Sequence, residues 1–346
     1  MYTEPSHSGL VHHLGKVAGS KGSREFKSLR FRKLWYYKVM NNRFYTGIIF
    51  FLTSYLQYIL PSNLVGGKFL AFFWFLFMFG IVLISDGITE KFIEKSLLNE
   101  IIRNKKNLIS FFLISIAGGI ILEGVAQWLG KLWIYPYFDT YSYFVFFIFG
   151  FGFYWLMITE SYLAIKAILD YVYRGKNIVR NYYWFEPFFY KFLGIAGFIL
   201  VPLSAFFMLR DYTINGGYIF DISNQVNHKM NFIYIIIIFL GIWFILESIE
   251  YLRKKTSLIK DIFHHYYNPL ASILIASFIL AIIMETENVF HGFWLYTNWP
   301  FENIQFLNLP IMMFIAWPLH YVAFLSLFRA FTEKESDEIW RANLIK

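Results

Sequence analysis

Glu123 and Glu285 stand 162 residues apart and close two similar strings, Ile120-Ile-Leu-Glu123 and Ile282-Ile-Met-Glu285. Each acid sits in an apolar run and is followed by an aromatic tripeptide, Trp133-Ile-Tyr135 or Trp294-Leu-Tyr296. A carboxyl group among apolar neighbours resists ionisation and keeps its proton. That proton can be delivered to a carbon–carbon double bond. Trp and Tyr faces can stabilise the cation that results. Glu160, Glu287, His291 and His320 also fall within or beside apolar runs, with Trp155 and Trp317 on the helices that follow each tripeptide. An acid or base at the centre of a membrane helix costs about 2.5–3.5 kcal/mol on insertion scales. Each of these residues is therefore a site candidate.

The elements that must hold them are membrane spans. Of the 346 residues, 58% are hydrophobic and only 16% charged. Ordinary soluble domains have roughly 45–50% apolar and about 25% charged residues. Eight apolar stretches are long enough to cross about 30 Å of hydrocarbon at 1.5 Å per residue. They lie near 44–60, 69–86, 107–129, 141–166, 191–210, 231–251, 269–290 and 309–330. The expected fold is all-α: a polytopic helical membrane protein of about eight spans. The absence of Cys excludes disulfides, zinc-thiolate sites and thiol catalysis. The 23% aromatic content carries little weight alone, because AT-rich codons favour Phe and Tyr.

The charges orient the spans. If the N-terminus is cytoplasmic, 27 of the 31 Lys and Arg fall on the inner side, leaving Lys68, Lys131, Arg210 and Lys229 outside. That is the positive-inside pattern for eight spans with both termini cytoplasmic. The formal net charge of +8 is then topogenic, and nucleic acid is not an expected partner. Residues 27–38 mix basic and aromatic side chains and read as an interfacial helix on anionic headgroups. Residues 1–24 are polar, with no apolar core of a cleaved signal.

Residues 107–166 and 268–330 look alike at an offset of 161 or 162, from Asn107 and Asn268 through the acids and tripeptides to Trp155 and Trp317. The expected organisation is a basic segment 1–43, a four-helix repeat 44–172, a second repeat 187–331 and a tail 332–346. The repeats would be related by an axis along the membrane normal.

Helical geometry constrains the acids. Glu285 and Glu287 diverge by about 200° on a helix, whereas Glu287 and His291 share a face. A buried Glu can also do no more than hydrogen-bond nearby Trp, Tyr or His and fix packing. The tripeptides could equally be aromatic belts at a membrane interface. Asp86, Glu247 and Glu250 lie beside inner Lys and Arg and read as ordinary interfacial charges. The pairs His12-His13 and His264-His265 diverge on a helix, so no metal is expected. No histidine box, Asp-Asp-x-x-Asp cluster or Gly-rich phosphate loop occurs, so neither metal nor nucleotide cofactor is expected.

The stretch from Glu285 through His291, Trp294 and Tyr296 to Leu309-Pro310, Trp317 and His320 resembles the integral-membrane carotenoid-enzyme group. That group includes lycopene cyclase domains and the related carotenoid hydratases. The first half is similar through Glu123, Trp133, Tyr135 and Trp155, and the two blocks cover about 125 residues. The cyclase domains carry Pro-Leu-Glu-Glu where this chain has Pro310-Ile-Met-Met, so the resemblance implies the group and no particular product. It implies a membrane enzyme that cyclises or hydrates a polyisoprenoid or carotenoid-like lipid by protonating an olefin, without a cofactor. Glu123 and Glu285 would exchange the proton, and Glu160 or His320 would form a second polar site. Trp133, Tyr135, Glu287, His291, Trp294, Tyr296, Trp155 and Trp317 would bind the substrate. The expected setting is a bacterial inner membrane with lipid as partner, and homo-oligomerisation stays open. The alternatives are a transporter, or a lipid-binding or scaffold protein whose acids are structural.

Overall fold

The computed structural model describes residues 42–60, 68–173, 183–215, 231–255, 257–307 and 309–332. The interfacial helix expected at 27–38 and nearly all of the C-terminal tail lie outside these residues. Helix α1 covers 42–54 and runs into a 3-10 turn, Tyr55–Tyr58. Next come α2 (Lys68–Ile93), the short α3 (Leu97–Arg103) and α4 (Lys105–Leu122). A π-helical turn, Glu123–Leu129, continues α4, and strand β1 (Trp133–Ile134) leads to α5 (Thr140–Val172). The chain resumes with α6 (Glu186–Asn215), α7 (Phe232–Leu252), the short α8 (Leu258–Phe263) and α9 (Asn268–His291). Strands β2 (Leu295–Tyr296), β3 (Gln305–Phe306) and β4 (Leu309–Pro310) precede α10 (Ile311–Phe331).

Seven of these helices are long and apolar enough to cross a membrane: α2, α4 with its π turn, α5, α6, α7, α9 and α10. The stretch expected as the first span, 44–60, is α1 plus the 3-10 turn. Several helices outrun their apolar stretches. Helix α2 continues from Asp86 to Ile93 because Asp86 is paired inside the protein. Helix α6 leaves an apolar face exposed, with Phe188, Phe192, Ile195, Phe198 and Phe206 among its uncovered side chains. A row of this kind needs lipid or another protein against it.

Two helix pairs cross through glycine. A Cβ on Gly47 would stand 2.7 Å from the backbone nitrogen of Ile84 in α2, and one on Gly80 would stand 2.7 Å from that of Phe51 in α1. Gly197 and Gly241 meet in the same way between α6 and α7. The small residues let the backbones approach closely enough to gain dispersion contacts that side chains would block. Both short helices begin on a serine: Ser96 accepts from the Asn99 N–H, and Ser257 accepts from the Lys260 N–H. Gly80 and Gly241, and likewise Ser96 and Ser257, are 161 residues apart.

At the end of the bundle opposite the short helices, β1 and β2 pair antiparallel, with Trp133 opposite Tyr296 and Ile134 opposite Leu295. Around them the loop of one half holds the loop of the other. Thr297 N–H donates to the Leu132 carbonyl at 2.9 Å, and Trp299 Nε1 donates to the same oxygen at 2.7 Å. Thr297 Oγ1 and Asn298 Nδ2 both donate to the Lys131 carbonyl.

The glycine crossings make a prediction. Overpacking a tight interface costs about 1–3 kcal/mol. Gly80→Val and Gly241→Val should each lower the thermal unfolding midpoint of the detergent-solubilised protein clearly. Gly150→Ala, whose Cβ would meet only the flexible Phe146 ring at 3.2 Å, should change it little.

Candidate functional site

Glu123 opens the π turn, 2% exposed, and both of its oxygens are used. Oε1 accepts the Tyr135 hydroxyl at 2.6 Å, and Oε2 accepts the Tyr143 hydroxyl at 2.9 Å. Indole nitrogens complete the chain: Trp133 Nε1 donates to the Tyr135 oxygen at 3.0 Å, and Trp128 Nε1 to the Tyr143 oxygen at 3.0 Å. Glu285, 1% exposed, accepts the hydroxyl of Tyr296 on one oxygen and Asn288 Nδ2 at 3.4 Å on the other. Asn288 also clamps the loop: its Nδ2 donates to the Trp294 carbonyl and its Oδ1 accepts the Trp294 N–H, both at 3.0 Å. Each acid is thus held by the Tyr of the tripeptide that follows it in sequence.

Those two tyrosines, 135 and 296, lie outside the long helices. Burial pushes both phenols well above the ordinary value, and the neighbouring carboxylate pushes the same way. Both stay protonated, so each remains a donor to its acid.

The β1–β2 ladder joins the two halves of the site. Its register puts the tripeptides head to tail, centred on Ile134 and Leu295. Inward from it on α5 is Tyr154. Tyr154 Oη is 2.9 Å from His320 Nε2 on α10. Trp155 stacks on Phe324 with ring centroids 4.0 Å apart, and Trp317 packs edge-on against His320 at 5.6 Å. His320, Trp155 and Trp317 therefore gather around Tyr154. A small void bounded by Gly118, Trp155, Phe239, His320 and Phe324 has room for about one water molecule.

The other candidates lie elsewhere. Glu287 points away from Glu285, as the helical geometry requires. It accepts the Tyr58 hydroxyl at 2.6 Å and Gln57 Nε2 at 3.2 Å. His291 shares that face and stacks on Tyr58, with ring centroids 5.2 Å apart. Glu160 is about 9 Å further along α5 than Tyr154. It accepts the Leu98 N–H at the start of α3, at 3.0 Å. Among the described residues no three His, Asp or Glu side chains gather where they could hold a metal ion.

Asp86, Glu247 and Glu250 are not solvated interfacial charges: all three are fully buried. Arg43 of α1 pairs with Asp86 at 2.7 Å and also donates to Ser96 Oγ at 3.1 Å and Asn99 Oδ1 at 2.5 Å. Glu247 accepts the Leu258 N–H at 3.1 Å and Trp243 Nε1 at 2.9 Å, and Glu250 pairs with Arg329 at 2.8 Å. Sequence reasoning passed over Tyr143, Tyr154 and Asn288. The aromatic background hid the two tyrosines. Asn288, three residues after Glu285, carried a legible signal as a short polar side chain ahead of a turn.

Removing a hydroxyl that donates to a buried carboxyl group leaves the acceptor unsatisfied, which costs about 1–3 kcal/mol. Tyr135→Phe and Tyr296→Phe should each lower the thermal unfolding midpoint, and Asn288→Ala should lower it by a similar amount. An unchanged midpoint in all three would mean that the carboxyl clamps are not formed.

Comparison with known protein families, curated proteins and solved structures returned no match to this chain.

Proposed function

We propose that the protein is an integral-membrane enzyme that protonates an olefin of a polyisoprenoid or carotenoid-like lipid, cyclising or hydrating it. The observation that carries this reading is the pairing of the two Trp-x-Tyr tripeptides on one ladder, each Tyr holding the acid of its own half. Two interior carboxyl groups amid Trp and Tyr rings are suited to donate a proton, stabilise a carbocation and collect a proton afterwards. Glu123 and Glu285 take the donor and acceptor roles in this proposal. Trp155 and Trp317 flank the cation, and His320 is the further polar group. Glu160, Glu287 and His291 take no part in the chemistry. A lipid-sized substrate needs more space than the small void offers, so entry requires side chains or helices to part.

The same proposal includes the finer architecture. Two four-helix repeats, with α1 as the counterpart of α6, are supported by the matched glycine crossings and the matched serine caps. The eighth span is then α1 with its 3-10 turn. Both termini face the cytoplasm because Lys and Arg cluster at the short-helix end. A bacterial inner membrane suits that arrangement.

The experiment is expression in a bacterial host that accumulates lycopene and its elongated derivatives. Absorption and mass spectrometry of extracts should show a product isomeric with the precursor for cyclisation, or one heavier by a water for hydration. Glu123→Gln and Glu285→Gln should each reduce that product at least tenfold. A well-expressed protein that leaves every precursor unchanged would exclude carotenoids of this kind.

A second reading, a lipid-binding or scaffold protein with structural acids, draws on one specific observation. Glu160 and Glu247 accept backbone N–H groups at the starts of α3 and α8, which is work of folding. Glu160→Gln and Glu247→Gln should therefore lower the unfolding midpoint and leave the lipid product of any active enzyme in place. If the Glu123 and Glu285 variants also changed only the midpoint, the scaffold reading would stand.

A further inference from the structure

The β3–β4 hairpin and the residues just before it present large apolar side chains to the outside. Phe301, Ile304, Phe306 and Leu307 are 44–62% exposed. In water such a row is unfavourable, and an exposed apolar patch of this kind marks a contact surface. The backbone adds a second signal. Phe301 and Leu307 have φ angles of 55° and 54°, in the left-handed region that bulky residues avoid. Two of the four side chains are thus held outward by a strained backbone.

The segment is not a loose end. On one side Trp299 donates to the Leu132 carbonyl. On the other, Leu309 and Pro310 are buried at the start of α10. Between them the ladder pairs Gln305 with Pro310 and Phe306 with Leu309, and the Ile311 N–H donates to the Ile304 carbonyl at 3.0 Å.

The depth of the hairpin identifies what it faces. Phe306 packs edge-on against Phe314 in the first turn of α10, with ring centroids 5.4 Å apart. Phe314 in turn meets Phe278 of α9 at 6.1 Å. Phe278 lies thirteen residues before the end of α9 at His291, about 20 Å along the helix axis. The hairpin therefore hangs beside α9 and does not project beyond its end. Helices α9 and α10 are both long and apolar enough to cross a membrane. Their exposed side chains at this level include Phe278, Ile279 and Ile315. The four hairpin side chains continue that lipid-facing surface. Glu302 and Gln305 are exposed between them, a mixture that suits the boundary between headgroups and acyl chains.

We propose that residues 301–307 form a re-entrant segment seated in the bilayer leaflet at the strand end of the bundle. Phe301, Ile304, Phe306 and Leu307 insert among its acyl chains. Lipid gives these side chains an apolar medium, which offsets the left-handed strain. The ladder keeps backbone groups of the hairpin paired, as a segment at that depth requires. This contact stands independently of the acid–olefin chemistry.

The chain has no Cys, so one cysteine can be introduced and labelled with bimane. Leu307→Cys and Phe301→Cys probe the hairpin, and Ile304→Cys adds a position outside the left-handed region. Phe278→Cys is the lipid-facing reference, and Lys105→Cys, at the exposed start of α4, is the water-facing one. Full-length labelled proteins that elute as a single species are placed in phosphatidylcholine nanodiscs. Each is read with a nitroxide on the lipid acyl chain and, separately, with iodide in the buffer. Hairpin labels should be quenched by the nitroxide lipid as strongly as the Phe278 label. Iodide should quench them at least threefold less than the Lys105 label. Iodide quenching equal to that at Lys105 would put the hairpin in water and overturn the proposal. Labels reached by neither quencher would mean that protein covers the hairpin, which would overturn it equally.

Discussion

Two carboxyl groups have been taken out of water at one end of this helical bundle, and the structure around them follows from the need to satisfy them. A buried carboxyl without partners costs several kcal/mol. Each here receives a tyrosine hydroxyl from the tripeptide just downstream. That requirement sends the chain back toward the helix it has just left. Both halves do so, and the two returning segments meet as β1 and β2. The carbonyls of Lys131 and Leu132 then accept hydrogen bonds from the loop of the other half, so neither tripeptide can move without its counterpart.

The opposite end answers a different demand. The short helices α3 and α8 each have first-turn N–H groups that no helical carbonyl can reach. Ser96 and Ser257 take one apiece, and Glu160 and Glu247 take others from deeper in the bundle. Arg43 and Arg329 pair with Asp86 and Glu250 on the same level. Acids buried near the short helices are thus committed to holding backbone and arginine. Those near the strands are held by phenols. The same residue type meets different donors at the two ends.

Glu123 and Glu285 are held in different ways. Glu123 is clamped by two tyrosines, Glu285 by a tyrosine and an asparagine. The first acid sits on a π-helical turn and the second on an ordinary α-helix. The extra residue per turn in the first half accounts for the single-residue difference in offset, 162 between the acids and 161 between the tripeptides.

Hydropathy and spacing alone determined the long apolar helices and the divergence of Glu285 from Glu287. These follow from helical periodicity and the cost of burying charge, both local properties of the chain. The tertiary structure decided what touches what. It set Tyr154 against His320 and joined the tripeptides to each other. It also turned Asp86, Glu247 and Glu250 from surface charges into buried anchors. None of this was legible in one dimension, because in a chain so rich in aromatics any Tyr looks like its neighbours. The hydroxyls that hold Glu123 and Glu285 come from 11 to 20 residues downstream, whereas Tyr154 and His320 meet from helices 166 residues apart.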